Sequence, residues 1–429
     1  MSQDGVMTAT QTAIERHNAS MRRLRRIYVI VIVAVLAITA VIVEIVWATG
    51  EENNTTLHTA AKPPAAIALQ TPSSSVAPVW RTTDKAAGGV PVWKGTAITS
   101  TPHTVRGRDA LTGKITWSYS RSNRKLCNAE QNNGVTVAIY QVNGNCDEVT
   151  ALDSQTGKRK WIRTLDMEGH PVNGHPMVMI NPYTVLVTTP QVIYAVDVGG
   201  GLDRWEWHQK GCTVSSAVIG SLGALISQTC HDQNCPNTKI CGNGPQLILR
   251  DAYAGHDDKA KDSNQDQIKW NNLGDTDVPV SADQVITALN TTTHALDVIN
   301  DGDGTNAASL TLSPVPTTTT GAVAAATADD ELIWLGTTVY AVSTKAALQW
   351  AAPSLGPATI ASASGTNFPP ETTAARVTLI DSSGAVTVDA TTGKVSQRST
   401  ISTPTAGSWA YPVGAGFVVA GPGGTIAYR

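Results

Sequence analysis

Three stretches of the chain carry one pattern at one spacing. Asp109 is followed by Trp117, Asp153 by Trp161 and Asp197 by Trp205, and the three tryptophans stand 44 residues apart. A period of about 44 residues marks one supersecondary unit repeated along the chain. Such a unit cannot bury its apolar face alone, so neighbouring units must stack on one another.

The residues inside the period say what the unit is. Two segments read Asp109-Ala-Leu-Thr-Gly113-Lys114 and Asp153-Ser-Gln-Thr-Gly157-Lys158, and a third, Asp389-Ala-Thr-Thr-Gly393-Lys394, lies far downstream. Short alternating or apolar runs precede such turns at 149–152, 192–196 and 386–388, which predicts strands. Asp and Thr oxygens bond nearby backbone N–H groups in a tight turn, and glycine accepts the positive φ it needs. The tryptophan then falls on the returning strand.

Other units keep the frame with losses. Asp251 and Trp270 fit if a polar stretch from about 256 to 266 enlarges the turn, an insertion that loops tolerate. Asp297 begins a unit without tryptophan, Ser343 stands before Trp350, and Gln397 takes the tryptophan place after Asp389. Hairpins therefore end near residues 117, 161, 205, 270, 310, 350 and 397. At the C-terminus, 416–420 and 425–428 read as two strands lacking an outer partner, while Pro78-Val79-Trp80-Arg81 resembles that partner. Pairing the two ends closes a ring and leaves no open flank. Residues 76–429 hold about eight units of 44. The expected fold is all-β, an eight-bladed β-propeller of four-stranded antiparallel blades, with seven blades as the alternative. A β-sandwich or two separate β-domains would leave the fixed spacing to chance.

At these residues the chain resembles the PQQ-type, quinoprotein-like β-propeller repeats. Their pattern is a strand ending in Ala-Leu-Asp, then Ala-x-Thr-Gly-Lys, then a strand with Trp. The matching segments are 108–117, 151–161, 195–205, 295–297, 341–350 and 388–394. The repeat is shared by quinoprotein dehydrogenases and by non-enzymatic scaffolds such as the outer-membrane β-barrel assembly lipoprotein. The resemblance implies that Trp117, Trp161, Trp205, Trp270 and Trp350 pack between blades rather than bind a ligand, and buried aromatics usually serve packing. It also implies a choice of function. The dehydrogenases carry PQQ and Ca²⁺ beneath an adjacent Cys-Cys pair, with a stacking Trp, a catalytic Asp and Glu/Asn/Asp metal ligands. No two cysteines here are adjacent, and no such acidic set maps onto the chain. The likeness is therefore closer to the assembly-lipoprotein branch than to the enzymes.

Residues 27–48 form an apolar run of membrane-spanning length, broken only by Glu44 near its outer end. Arg22, Arg23, Arg25 and Arg26 precede it, and Glu51 and Glu52 follow. The positive-inside rule then puts 1–26 in the cytoplasm as a short tail and the remainder outside a cytoplasmic membrane, crossed once. Tyr28 and Trp47 mark the two interfaces. A cleaved signal peptide would have a shorter apolar region and a small-residue cleavage site. Residues 49–77, rich in Pro, Ser, Thr and Ala, read as a disordered linker holding the propeller, 78–429, about 25–30 Å from the bilayer.

All six cysteines follow the apolar run, as expected of disulfides in an exported domain. The repeat suggests Cys127–Cys146 and Cys212–Cys230 as like-placed cross-strand bridges, leaving Cys235–Cys241 around a small loop. Zinc and thioredoxin-like readings lack a Cys-x-x-Cys pair.

Charge is low, with 31 Lys and Arg against 34 Asp and Glu, which gives no electrostatic case for nucleic acid. The run 300–306, Asn-Asp-Gly-Asp-Gly-Thr-Asn, resembles part of a calcium loop but lacks the later bidentate Glu, so it reads as an exposed turn. His170 and His175 have no acidic partner to complete a metal site. Gly199-Gly200-Gly201 lacks the strand–helix setting of a phosphate loop. No catalytic motif appears, so neither a catalytic nor a cofactor residue is assigned. The blade faces and the insertions at 231–246 and 256–266 are then the places for a partner. The expected function is a membrane-tethered, extracytoplasmic scaffold or sensor that binds an envelope protein or a cell-wall component; a PQQ- and Ca²⁺-dependent dehydrogenase is the alternative.

Overall fold

The computed structural model describes residues 28–41, 44, 50–65, 67, 70–165, 176–231, 242–252, 268–316, 323–327, 329–360, 376–402 and 404–429. The chain divides into two units, Met1–Thr55 and Thr56–Arg429.

In the second unit the described strands form eight antiparallel sheets, each built on four up-and-down strands. Blade 1 runs from Lys85 to Arg121, blade 2 from Leu126 to Thr164, blade 3 from Met177 to Trp207 and blade 4 from Cys212 to Leu273. Blades 5, 6 and 7 run from Val278 to Thr311, Val323 to Pro353 and Thr359 to Thr400. Blade 8 takes Trp409–Val413, Gly416–Gly421 and Gly424–Tyr428 from the C-terminus and its outer strand, Pro78–Thr82, from the far end of the sequence. Trp80 lies opposite Ala427 in that pairing. The ring is an eight-bladed propeller closed by strand exchange between the two ends of the domain.

One local device joins most blades. In blade 2, Asp153 Oδ1 accepts the N–H of Thr156 (2.8 Å) and its hydroxyl (2.7 Å), and Gly157 N–H donates to Asp153 O (2.8 Å). These bonds fold the Asp-x-x-Thr-Gly turn flat, with Gly157 at φ +69°. Trp117 of blade 1 lies against that flat face and donates its indole N–H to Ser154 O at 3.0 Å. A Cβ at Gly157 would sit 2.6 Å from the Trp117 ring, so only glycine admits the tryptophan. The same pairing joins Trp80 to Gly113, Trp161 to Gly201, Trp270 to Gly304 and Trp350 to Gly393. Their indole N–H groups donate to the carbonyls of Ala110, Val198, Asp301 and Ala390. Within its own sheet the tryptophan stands opposite a small residue in most blades: Gly107, Ala151, Ala195 and Ala341 face Trp117, Trp161, Trp205 and Trp350. A bulge follows each of these pairs, tilting the indole toward the next blade.

The exceptions follow from the same rule. Blade 5 has Ala308 in the tryptophan place, opposite Val298 and followed by the bulge. The facing turn in blade 6 then has room for a side chain, and the residue there is Ala346 at φ +58°. Trp205 is met instead by Arg250 of blade 4, whose guanidinium carbon lies 4.5 Å from the indole centroid. Arg250 is fully buried between Trp205 and Trp207.

The structure corrects several expectations. The blade 5 turn begins at Asn300, whose Oδ1 accepts Gly302 N–H and whose carbonyl accepts Gly304 N–H. Asp297, expected from the Ala-Leu-Asp match to begin the unit, lies three residues earlier, inside strand Ala295–Ile299, while the run 300–306 holds the place of the turn as expected. The stretch 49–77 is not a free linker throughout. Thr55–His58 pairs with the outer strand of blade 1, Ile115–Arg121. Ala60 N–H donates to Thr156 O, Ile67 packs into the cluster shared by blades 1 and 8, Gln70 and Ser73 donate to Gly414 and Ala415, and Ala77 bonds Arg429. These contacts run mostly through the backbone, so a polar, Pro- and Thr-rich composition does not announce them. Residues 28–41 are helical, with Tyr28, Ile30 and Leu36 among side chains more than 60% exposed. Among the described residues no helix is long and apolar enough to cross a membrane, and much of the remaining apolar run, including Trp47, lies outside them.

The seam makes a quantitative prediction. Trp117→Ala should cost about 3–5 kcal/mol in chemical denaturation, and Gly157→Ala about 1–3 kcal/mol through overpacking and its positive φ. The double variant should cost clearly less than the sum, because the added methyl clashes only with an intact indole.

Candidate functional site

After the closing strand the chain does not enter blade 1 directly. Lys85–Ala86 pairs with Thr96–Thr101, and the chain then crosses to blade 2, where Gly88–Gly89 runs parallel to Glu130 and Gln131. Val90 N–H donates to Gln131 O at 2.8 Å. This crossing makes Gly88–Gly89 the innermost strand of blade 2, on the channel side of Leu126–Asn132. Glycine is required at Gly89, where φ is +67° and a Cβ would fall 2.4 Å from Gln131 O, whereas a Cβ at Gly88 would displace the Glu130 carboxyl, whose Oε2 would lie 2.1 Å away. From blade 8, Tyr411 donates its hydroxyl to Gly89 O at 3.0 Å and stacks on Trp409 with ring centroids 5.9 Å apart.

Glu130 keeps a partial opening to solvent while surrounding chain encloses its carboxyl. Burial pushes that carboxyl up to about 8, against the pull of Lys85. The Tyr411 phenol is raised as well, by burial first and by Glu130 second.

A second acidic group lies where blades 4, 5 and 6 meet. Glu331, on the second strand of blade 6, is fully buried. Its carboxylate accepts the Ser281 hydroxyl and, at 3.3 Å, the Val285 N–H, both from blade 5. Burial pushes Glu331 up to about 8, and the charge of Asp283 adds to the rise. Asp283, itself raised to about 6 by burial, receives Ser221 N–H of blade 4 at 3.3 Å. Gln284 donates across to Thr327 O of blade 6. Sequence reasoning did not find Glu130 or Glu331. Each is a single acid in an otherwise ordinary strand, and only the assembled ring removes its water.

The residues singled out from sequence are scattered rather than convergent. Cys127 and Cys146 are joined, as are Cys212 and Cys230. The two bridges are not like-placed. The first spans the middle strand of blade 2, from its first strand to its third, whereas Cys212 and Cys230 are direct partners on adjacent strands of blade 4. Cys235, Cys241, His170 and His175 lie outside the described residues. The acidic run in blade 5 is a turn in which Asp303 Oδ1 accepts the N–H and hydroxyl of Thr305, holding that carboxyl below its usual range. The two insertions in blade 4 leave its sheet at opposite ends, one beyond the Cys230–Gly244 pair and the other beyond the Arg250–Ile268 pair, and most of their residues lie outside the described ones.

Among the described residues no three His, Cys, Asp or Glu side chains gather as a metal site. Glu130, the acid at the channel edge, is packed against the backbone of Gly88 and Gly89. The arrangement instead supports titration behaviour. Glu331 and Glu130 have folded-state pKa values above those of an unfolded chain, so their favourable contribution is full below about pH 4.5 and is lost as pH rises through about 8. Thermal stability should therefore fall between pH 5 and pH 8, and Glu331→Gln should flatten that fall while keeping a side chain of the same shape.

Over residues 32–241 the sequence matches the family model described as outer membrane protein assembly factor BamB. No curated protein matches it. Among solved structures, BamB from Moraxella catarrhalis is 14% identical, with 82% of this chain and 97% of that chain covered and a TM-score of 0.46. Sqt1 from Saccharomyces cerevisiae is 11% identical over 84% and 99%, with a TM-score of 0.50. A quinohemoprotein alcohol dehydrogenase from Pseudomonas putida HK5 is 12% identical over 86% and 77%, with a TM-score of 0.41. Likenesses at these identities speak to the fold alone. The chain is thus an eight-bladed β-propeller whose residues 32–241 are similar to that family's repeats.

Proposed function

We propose that the chain is a non-enzymatic, protein-binding scaffold of the bacterial cell envelope, held on the outer side of the cytoplasmic membrane by one helix over 27–48. The observation that carries this reading is the pairing of two features in one chain. One is a closed propeller whose repeat matches a family described as an assembly factor. The other is a helix over 28–41 whose large apolar side chains are more than half exposed. A helix that is apolar on all its faces suits lipid. The arginines at 22, 23, 25 and 26 orient it with the propeller outside. The partner is an envelope protein or a cell-wall component that meets the blade loops, and no cofactor takes part.

Two measurements on the full-length protein test this. Alkaline extraction should leave it in the membrane fraction, and protease added outside intact cells without an outer barrier should reach the propeller. Crosslinking in intact cells should then join blade loops to one recurrent envelope partner. Release by alkali would contradict the anchor. Saturable binding of PQQ with Ca²⁺, accompanied by dye reduction, would replace the scaffold with a dehydrogenase.

A further inference from the structure

Blade 5 has a weakly built inner strand. Val278–Ala282 pairs within its own sheet only with Ile286–Leu289, and Pro279 brings no N–H to that pairing. The register slips between Pro279 and Ser281. The strand also lies between neighbouring blades, touching Cys212–Ile219 and Ala224–Cys230 of blade 4 and Val323–Ala326 of blade 6. Carboxyl groups hold it at both ends.

At one end stand Asp277 and Asp297, each 6% exposed. The Asp277 carboxyl is hydrogen-bonded to that of Asp297, which needs a proton between them. Asp297 also accepts the Ser309 hydroxyl and, at 3.4 Å, the Asn290 amide, while Asp277 N–H donates to Asp275 Oδ1 at 2.9 Å. At the other end, Ser281 and Val285 donate to Glu331 of blade 6, and Ser221 of blade 4 donates to Asp283. Beside them Leu222 N–H of blade 4 donates to Ala282 O at 2.9 Å.

No countercharge balances these acids among the described residues. The charges acting on Asp277 are those of Asp275 and Asp297, and the charge acting on Glu331 is that of Asp283. Asp329 and Asp330, just before Glu331, add two more acids. The bases on the surrounding elements are engaged or exposed. Lys269 of blade 4 donates its ammonium to Leu222 O at 2.9 Å, and Lys345 of blade 6 and His294 of blade 5 stand in solvent. Buried carboxyls set face to face without a cation cannot all ionise in place. Burial first, and neighbouring acids second, hold Asp277 and Glu331 above the usual carboxylate range, and burial holds Asp283 above it. Their favourable contribution is therefore full at acid pH and is lost as pH rises through that raised range.

We propose that Val278–Ala282 is a proton-operated latch in the channel wall. Protons on the Asp277–Asp297 and Asp283–Glu331 carboxyls hold the strand against blades 4 and 6, and their loss frees it while the rest of the ring stays folded. The latch is independent of what the blades bind.

The test is native-state hydrogen exchange on the full-length protein at pH 5 and pH 8, comparing strands within each sample so that the intrinsic rate cancels. At pH 5 the paired amides of 278–282 should exchange as slowly as those of Met177–Ile180, the inner strand of blade 3. At pH 8 they should exchange at least about tenfold faster than that strand. In the variant Asp277→Asn, Glu331→Gln, neutral groups of the same shape replace protonated ones, and the ratio at pH 8 should stay near its pH 5 value. The same ratio at both pH values in the natural protein would overturn the latch. A rise shared by Trp409–Val413 of blade 8 would overturn it as well, because the loosening would then be general. A rise that persists in the variant would show that these carboxyls do not hold the strand. Where the variant does not fold, the ratio in the natural protein decides alone.

Discussion

The ring depends on one contact, a tryptophan laid flat beneath the glycine of the neighbouring blade's turn. Trp117 shows what the contact requires. Its ring needs a turn without a Cβ, its indole N–H needs the carbonyl one residue beyond the turn aspartate, and its own strand needs a small residue opposite. A four-stranded blade is too small to bury its faces by itself, so the seams between blades supply the core. Each apolar cluster accordingly draws its buried residues from neighbouring sheets, as Trp161 with Val185 and Trp350 with Val377 illustrate.

This contact explains why so much of the fold was legible in sequence. The turn hexapeptides and the Asp-to-Trp spacing are two halves of one interface, and neither half works without the other. The substitution at Ala308 is instructive because the facing turn also relaxes, from glycine to Ala346. The contact also explains one misreading. The blade 5 register follows Asn300 and Gly304, the residues that meet Trp270, and not the Ala-Leu-Asp segment ending at Asp297. Turn chemistry was the better guide to register, and strand sequence was the weaker one.

What sequence did not reveal depends on distant parts of the chain. Trp80 resembled an outer-strand tryptophan, but its role as the closing seam against Gly113 needs the ends to meet. The strap from 55 to 77 binds largely through peptide groups, which every residue carries, so composition read it as a linker. Glu130 and Glu331 become unusual only when three blades or a crossing strand enclose them. The parallel pairing of Gly88–Gly89 with blade 2 leaves no local pattern beyond two adjacent glycines. Both carboxyls therefore lie at the channel edge and the blade seams, where no local sequence pattern marks them.

If the pairing of Pro78–Thr82 with Gly424–Tyr428 closes the ring, the blade made from the two ends of the domain is held as firmly as the others. Native-state hydrogen exchange tests it most directly. The account predicts that the paired amides of 78–82 and 424–428 exchange as slowly as those of Thr184–Thr188 in blade 3, through the same global opening. The strap amides of Ala60 and Gln70 should be protected to a lesser degree. Exchange at 78–82 that is orders of magnitude faster than in blade 3 would contradict the account, because the ring would then open at its closing blade while the rest stays folded.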